Sequence, residues 1–262
     1  MSAQSIKMET CAAMAAKWQL SLISYRRLVQ LAEIRRFPVK SMLGEAVSAS
    51  DIGERGLAGD RLWAVRDADG KFGSGKNTRR FRRMPGLFRF RAYTAEPAPV
   101  VEMPDGRRFA ANDATGHGAV SEILGRTVTL TPEASVPHHD EGPVSLLTTA
   151  SLRALSQLSA GEPGGGGVNP VRFRANLLID DAGDGFPEDN WPGRRLRVGD
   201  AVVLRIMRPL TRCVMVDMPQ DGAVERNDLL KTLAEHHEMT FGVVAAVERP
   251  GRVAAGDVCR WT

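Results

Sequence analysis

The hydrophobic pattern of the first hundred residues is typical of short β-strands. Apolar and polar positions alternate in "LFRFRAYTA" (87–95), as they do along a strand that buries one face. The stretches "RLWAVRDADGKFGS" (61–74) and "PVVEMPDGRRFA" (99–110) each place an Asp-Gly pair between two apolar runs, which is a hairpin signature. This part of the chain is therefore predicted to be mostly β.

The second half of the chain combines further strands with a few helices. Helical spacing of apolar residues occurs in "GAVSEILG" (118–125), "TTASLRALSQLSAG" (148–161) and "RNDLLKTLAEHH" (226–237). In the second of these a Thr or Ser opens the helix and Gly161 is placed to end it. Strand-like runs return in "RANLLIDD", "DAVVLRIMRPL", "FGVVAAVERPG" and "GDVCRWT". The prediction is a mainly β fold with some α (α+β), built from barrel-like units.

Composition limits the class of protein without defining its activity. The chain has 262 residues, 43% of them apolar, and a net charge of +4. This length and balance indicate a globular protein of two packed units whose boundary falls near residues 110 to 120. Residues 1–27 are expected to be an N-terminal extension. No run approaches the roughly 20 apolar residues of a membrane span, and no signal-peptide pattern is recognisable, so a cytoplasmic protein is expected.

The stretch from residue 71 to 91 is rich in Lys and Arg and lacks acidic residues. Within it, "GKFGSGKN" matches the spacing of a phosphate-binding loop, but Asn77 stands where that loop requires Ser or Thr, and Pro85 soon follows. Two interpretations stay open, namely a solvated charged face and an anion site built from Arg side chains and loop amides. A nucleic-acid site is disfavoured because few aromatic residues alternate with the cations.

Three other short motifs carry polar side chains next to predicted strands. "FPVKS" contains Lys40 and Ser41, "GDRLW" contains Arg61, and "VRFRANLLIDD" contains Arg174 and Asn176. Each motif alone is common in surface loops. The acidic segment "DDAGDGFPED" departs from a calcium-binding loop and is interpreted as solvated. The two pairs of adjacent histidines, His138 with His139 and His236 with His237, lack the spacing of a zinc site.

Cys213 is the residue whose chemistry is least determined by its neighbours. The chain has only three cysteines, far apart and without a C-x-x-C pair, so neither a disulfide framework nor a cysteine cluster is predicted. In "RPLTRCVMVDMP", Arg208 and Arg212 precede Cys213, and nearby cations favour a thiolate. Cys213 could be a buried apolar residue, a nucleophile, or a ligand to a soft metal. Local sequence leaves these three alternatives open.

Taken in order, four segments resemble one family. They are "IRRFPVKSMLGEAV", "GERGLAGDRLWAVRDADGKFGSGKNTRRFRRM", "NPVRFRANLLID" and "RPLTRCVMVDMPQDG". Together they resemble the MOSC proteins that carry an N-terminal β-barrel domain, a group that includes the mitochondrial amidoxime-reducing component and bacterial relatives. The resemblance implies an N-terminal β-barrel-like domain at 28–115, packed with a C-terminal MOSC β-barrel domain at 116–262.

The resemblance also implies a cofactor and a set of residues that bind it. The family is associated with the molybdenum cofactor (Mo-molybdopterin), and Cys213 matches the position of the cysteine that ligates the metal and is catalytic. Matching motif by motif, the expected cofactor-binding residues are Lys40, Ser41, Arg61, Ser74, Asn77, Arg79, Arg174, Asn176, Thr211 and Arg212. Among these Ser74, Asn77 and Arg79 match least firmly. A family-level association with pyridoxal phosphate binding is a further expectation.

The activity implied is reduction of N-hydroxylated small molecules, with removal of the N-bound oxygen. The sequence shows no cysteine-rich ferredoxin-like segment, so a separate protein of ferredoxin, flavoprotein or cytochrome type is expected to supply electrons. A second cysteine that some relatives carry after the "RFRAN" motif is absent. The alternative is a sulfur-carrier or cofactor-handling protein with a persulfide on Cys213. Neither a nucleic-acid partner nor a membrane span is expected. A barrel that binds nucleic acid through the Arg-rich stretch is the third hypothesis, behind the reductase and the sulfur carrier.

Overall fold

The computed structural model describes residues 29–159 and 167–262, and the predicted extension at 1–27 lies outside them. Three α-helices occur in these ranges, α1 (Ala114–Leu124), α2 (Thr149–Leu158) and α3 (Leu229–His236). The strands are β1 (Val29–Arg36), β2 (Glu45–Val47), β3 (Ala49–Gly53), β4 (Gly56–Leu57), β5 (Trp63–Asp67), β6 (Phe72–Ser74), β7 (Phe81–Arg83), β8 (Arg91–Tyr93), β9 (Val100–Glu102), β10 (Arg108–Ala110), β11 (Val128–Pro132), β12 (Val144–Thr148), β13 (Leu177–Asp180), β14 (Arg195–Val198), β15 (Val202–Thr211), β16 (Thr240–Arg249), β17 (Gly251–Ala254) and β18 (Val258–Trp261).

The largest sheet closes into a barrel of seven strands. Its order is β13-β12-β16-β15-β14-β18-β1, and β1 pairs back onto β13 to complete the ring, while β2 extends from β1. Strands β12 and β13 run parallel, and the other pairs in the ring are antiparallel. Closure removes open sheet edges, and inward-facing residues such as Leu31, Leu146 and Leu204 fill the interior.

A second apolar core lies beside the barrel. The sheets β11-β5-β6-β7 and β10-β9-β8 enclose residues that include Val65, Phe90 and Val101. Helix α1 covers this core through Val120, and the Asp113 side chain caps the helix by accepting from the Thr115 amide. The chain thus forms two β units with few helices, and the predicted mainly β fold is confirmed.

Most predicted elements occur where the hydrophobic pattern placed them. Both Asp-Gly hairpins form, as the antiparallel pairs β5–β6 and β9–β10. All three predicted helices form, and the Thr148 hydroxyl caps α2 at the Ser151 amide. The predicted stop at Gly161 lies outside the described residues.

The alternating stretch 87–95 differs from its prediction. Residues Pro85–Arg89 form a 3-10 helix, and only Arg91–Tyr93 are extended. Pro85 stands at the start of that helix, where proline has no amide hydrogen to lose and its fixed φ suits a helical turn. The loop-like "GKFGSGKN" lies in the β5–β6 hairpin and beyond β6, and a strand follows it where a phosphate-binding loop needs a helix.

Within the described ranges, no helix is both long and apolar enough to cross a membrane.

Candidate functional site

A cavity of about 160 Å³ lies where the two units meet. Residues from all four family-like segments line it: Lys40 and Ser41 follow β1, Arg61 follows β4, Arg174 and Asn176 precede β13, and Thr211, Arg212 and Cys213 lie at and just beyond the end of β15. These positions span 174 residues of sequence and come together because the barrel brings the end of β1, the start of β13 and the end of β15 to one side. Other lining residues include Lys76, His139, Asp140, Glu141 and Arg172.

The backbone is strained where it presents three of these side chains. Ser41, Arg61 and Arg174 have φ values of 62°, 51° and 53°, in the left-handed region that residues with a Cβ adopt at a cost of about 1 kcal/mol or more. The surrounding packing holds this conformation, since the Ser41 hydroxyl donates to the Gly73 carbonyl at 3.1 Å. Such strain clusters at binding and catalytic sites. It aims three polar side chains at one cavity.

A buried carboxylate fixes Arg61 from behind. Asp60 is fully buried, accepts from the Phe37 amide at 2.8 Å and pairs with the Arg61 guanidinium at 2.5 Å. Burial alone raises the pKa of Asp60, but Arg61 and the neighbouring His139 outweigh it and lower the pKa to about 2. The Arg61 guanidinium also lies 4.7 Å from the centre of the Phe37 ring. Arg61 is therefore held rigidly, with its charge compensated from the protein side.

Arg174 and Arg212 are cations with incomplete compensation. Burial, with the adjacent Arg61 charge, lowers the pKa of Arg174 to about 9. Burial lowers the pKa of Arg212 to about 10. Arg212 donates to the carbonyls of Phe241 and Phe173, at 2.7 and 2.8 Å, yet its buried Nη2 has no hydrogen-bond partner among the described residues. A buried donor without a partner is costly, and an anion in the cavity would satisfy it.

Lys40 is a buried ammonium held by one carboxylate. Its Nζ donates to Asp140 Oδ1 at 2.5 Å and to the His138 carbonyl at 3.1 Å, and it lies 4.8 Å from the centre of the Phe81 ring. Burial outweighs the attraction of Asp140 and lowers the pKa of Lys40 to about 8. Lys40 is thus mostly protonated at neutral pH, about one pH unit below its pKa.

Asn176 serves mainly to join strands. Its Oδ1 accepts from both the amide and the hydroxyl of Ser145, at 3.1 and 2.9 Å, and its Nδ2 donates to the Arg35 carbonyl at 3.2 Å. These bonds tie β12 to β1 beside the cavity. Thr211, by contrast, is exposed at the cavity rim.

Cys213 is half-buried and lies at the start of a 3-10 helix, Val214–Val216. The other described cysteine, Cys259, is buried in the barrel core, where burial raises the pKa of its thiol to about 12. Only Cys213 of this pair has access to the cavity. Among the described residues no three His, Cys, Asp or Glu side chains group as a metal site. Cys213 is the one thiol that the described lining of the cavity offers to a metal.

Arg172 supports the segment that carries Cys213, a role that the sequence did not reveal. Its guanidinium, 1% exposed, donates to the carbonyls of Val216 and Val224. Gln220 adds bonds to the carbonyls of Arg172 and Met215, at 3.2 and 2.9 Å. This network fixes residues 213–224, named here the cysteine loop.

Three predicted residues lie outside the cavity. Asn77 accepts from the Arg83 amide at 2.8 Å and shapes an exposed turn that also contains the exposed Arg79. Ser74 is buried beside Ser41, and its hydroxyl has no partner among the described residues. The structure brings together the other eight predicted residues, Lys40, Ser41, Arg61, Arg174, Asn176, Thr211, Arg212 and Cys213.

Cationic side chains outnumber carboxylates in the cavity lining. Its lining has six cationic side chains, Lys40, Arg61, Lys76, Arg172, Arg174 and Arg212, and two carboxylates, Asp140 and Glu141, so 6 − 2 leaves an excess of four positive charges. Asp140 belongs to no recognisable sequence motif and Lys76 belongs to the loop-like "GKFGSGKN", so only the fold shows that both line this cavity. A cavity with this balance favours an anionic ligand.

Comparison with known proteins gives both a family and structural neighbours. The model of the MOSC N-terminal beta barrel domain matches residues 28–127, and that of the MOSC domain matches residues 133–260. No curated protein matches the chain. Among solved structures, the YuaD protein from Bacillus subtilis is 14% identical, with 88% of this chain and 93% of that chain covered and a TM-score of 0.47. YiiM from Geobacillus stearothermophilus is 13% identical, with coverage of 46% and 54% and a TM-score of 0.34.

The two matched regions cover most of the sequence, and they follow one another in the order that the four motifs indicated. The chain belongs to the MOSC family, with a MOSC N-terminal β-barrel domain followed by a MOSC domain.

Proposed function

We propose that this protein binds the molybdenum cofactor in the cationic cavity and reduces N-hydroxylated small molecules with electrons from a separate donor protein. The observation that carries the proposal is the meeting of four distant segments around one cavity that contains Cys213 and an excess of positive charge. A cytoplasmic location is part of the proposal and rests on the sequence.

The residues fit the chemistry of that cofactor, which has an anionic phosphate and a dithiolene that holds the metal. Arg61, Arg174 and Arg212 are placed to bind the anionic part, and the unpartnered Nη2 of Arg212 is a donor that such a ligand would satisfy. Cys213 would supply a soft sulfur ligand to the molybdenum. When bound, the cofactor supplies the redox chemistry, while the protein orients and tunes it.

The overall reaction needs two electrons and two protons for each substrate molecule. The N–O bond breaks, an N–H bond forms, and the oxygen leaves as water, so R₂N–OH + 2 e⁻ + 2 H⁺ gives R₂NH + H₂O. Lys40 Nζ, with its pKa near 8, holds a proton at the cavity wall at neutral pH. The strained, hydrogen-bonded loops keep Arg61 and Arg174 fixed during turnover.

The test compares two cysteine variants of protein purified from a host that makes the cofactor. We expect one molybdenum per chain and a fluorescent pterin after oxidation in the wild type, with reduction of benzamidoxime by a chemically reduced dye. Cys213→Ala should lose the activity and most of the metal. Cys259→Ala is the matched control, because Cys259 is in the barrel core and away from the cavity.

Two outcomes would contradict the proposal. Metal-free wild-type protein from such a host would exclude a molybdenum enzyme. A gain of one sulfur atom on Cys213 after incubation with a sulfur donor, without bound molybdenum, would instead support sulfur transfer.

A further inference from the structure

A cluster of uncompensated cations lies on the surface beside the cavity. It consists of Arg66, Lys71, Lys76, Arg79 and Arg80, named here the basic face. None of them forms an ion pair with a carboxylate in the part of the chain that the structure describes. The neighbouring Arg82 differs, because Asp67 and Asp69 neutralise it at 2.9 and 2.5 Å. The basic face therefore presents positive charge to whatever approaches it.

Two aromatic rings hold three of these cations, Arg66, Lys76 and Arg80, in place. Arg66 and Arg80 lie over the Phe72 ring, at 5.3 and 5.6 Å from its centre. Lys76 and Arg80 lie over the Phe81 ring, at 5.5 and 5.1 Å. Cation–π contacts of this kind stabilise the side chains and reduce the entropy they lose on binding a partner. Three of the five charges of the face therefore form a preformed arrangement.

The basic face adjoins the cavity directly. Lys76 belongs to both, and the Phe81 ring that lies near Lys76 also lies 4.8 Å from Lys40 Nζ. Arg80 also donates to the Pro137 carbonyl, next to Val136, whose side chain is 51% exposed. Protein interfaces combine apolar contacts with a polar rim, and an exposed apolar residue among fixed charges is consistent with that composition.

We propose that the basic face is the docking site of an acidic electron-donor protein. This inference rests on the proposed reductase function, which requires electrons from outside, and adds where the donor binds and what charge it carries. A partner bound there lies next to the cavity, so its redox centre can approach the cofactor site. Complementary charges speed association of this kind by about 10- to 1,000-fold at low salt.

The same face is poorly suited to a nucleic acid. Proteins that bind single strands stack bases on exposed aromatic rings. Here Phe81 is 7% exposed, and the cations and His138 pack against Phe72, with a ring-centre distance of 4.8 Å between Phe72 and His138. The rings hold cations and are not free to stack on bases.

The experiment uses the full-length, molybdenum-loaded protein and two electron sources. One is a reduced plant-type [2Fe–2S] ferredoxin, which is small and acidic, and the other is a reduced sulfonated viologen, a small molecule with at most one net charge. The variant Arg66→Glu/Lys71→Glu reverses two charges of the face without altering a cavity residue. The control Arg252→Glu/Arg260→Glu makes the same change in net charge on β17 and β18.

We expect the ferredoxin-driven rate of Arg66→Glu/Lys71→Glu to fall about tenfold or more at low salt and its salt dependence to flatten. Its viologen-driven rate should match the wild type, and the control variant should retain both rates. Wild-type protein that uses the viologen but not the ferredoxin, or equal losses in the two variants, would overturn the docking site. Tighter binding of an oligonucleotide than of ferredoxin by the face would also overturn it. If the wild-type protein shows no viologen-driven reduction at all, the proposed function itself is contradicted.

Discussion

Replacing Arg172 by Met tests whether a buried cation sets the position of Cys213. The substitution keeps most of the aliphatic length and removes the hydrogen bonds to the carbonyls of Val216 and Val224, at 3.3 and 2.7 Å. A hydrogen bond from a charged donor contributes about 1.5 to 3 kcal/mol, so the two bonds together predict a loss of about 3 to 6 kcal/mol in the free energy of unfolding. For a chain of this length the melting temperature should fall by about 6 to 24 °C.

The control for this prediction is Arg153→Met. Arg153 also donates to two carbonyls, those of Asp181 and Gly183, at 2.7 and 2.8 Å, but its side chain is exposed on α2. Water replaces those bonds, so the loss should stay below about 1 kcal/mol. Urea denaturation measures the free energy of unfolding of both variants.

A second measurement links Arg172 to the cysteine loop. The rate at which a disulfide reagent modifies Cys213 in the native state should rise in Arg172→Met, because the loop loses its anchor, and should not change in Arg153→Met. Equal destabilisation by the two substitutions, or an unchanged thiol reaction rate in Arg172→Met, would refute the reasoning.

Two further predictions concern residues that position the cavity wall. Asp60→Asn should flatten the acid limb of the stability curve: the pKa of Asp60 is about 2 when folded and near 3.8 when unfolded, so its stabilisation is complete above pH 4 and disappears as the pH falls through 2. Chemical denaturation should show that, between pH 5 and 2, the free energy of unfolding falls by about 2 kcal/mol more in the wild type than in this variant. An equal fall in the two proteins would contradict the lowered pKa of Asp60. Gly75→Ala should change the rate of the thiol reaction of Cys213 and lower cofactor content, because the added methyl group overlaps the Met215 side chain two residues after Cys213 and displaces the cysteine loop. Met215→Ala in the same chain should restore both, and a double variant as impaired as Gly75→Ala would show that the clash is not the cause.

Hydrophobic spacing identified strands and helices because periodicity is a local property. The hairpins β5–β6 and β9–β10 and all three helices follow from it, as does the mainly β class. The error at 87–95 has a local cause as well, since alternation over a few residues does not distinguish a strand from a short 3-10 helix that begins at Pro85.

The candidate site was predictable only in part. The four family-like motifs predicted eight residues that line one cavity, and Cys213 was among them. Their individual spacing did not show that they meet. Arg172 was not among the expected site residues, although it is the largest of the fully buried side chains among the described residues, because nothing local distinguishes a buried arginine from a solvated one.

By itself, then, the sequence determined the elements, the mainly β class and the resemblance to a family, because each depends on residues close together in the chain or on short motifs. Tertiary structure alone decided the closed barrel, the pairing of Lys40 with Asp140 across 100 residues, and the burial of Asp60 against Arg61. The physical reason is that burial and charge compensation depend on which distant strands become neighbours. Ring closure between β1 and β13 fixes those neighbours only when the whole chain has folded.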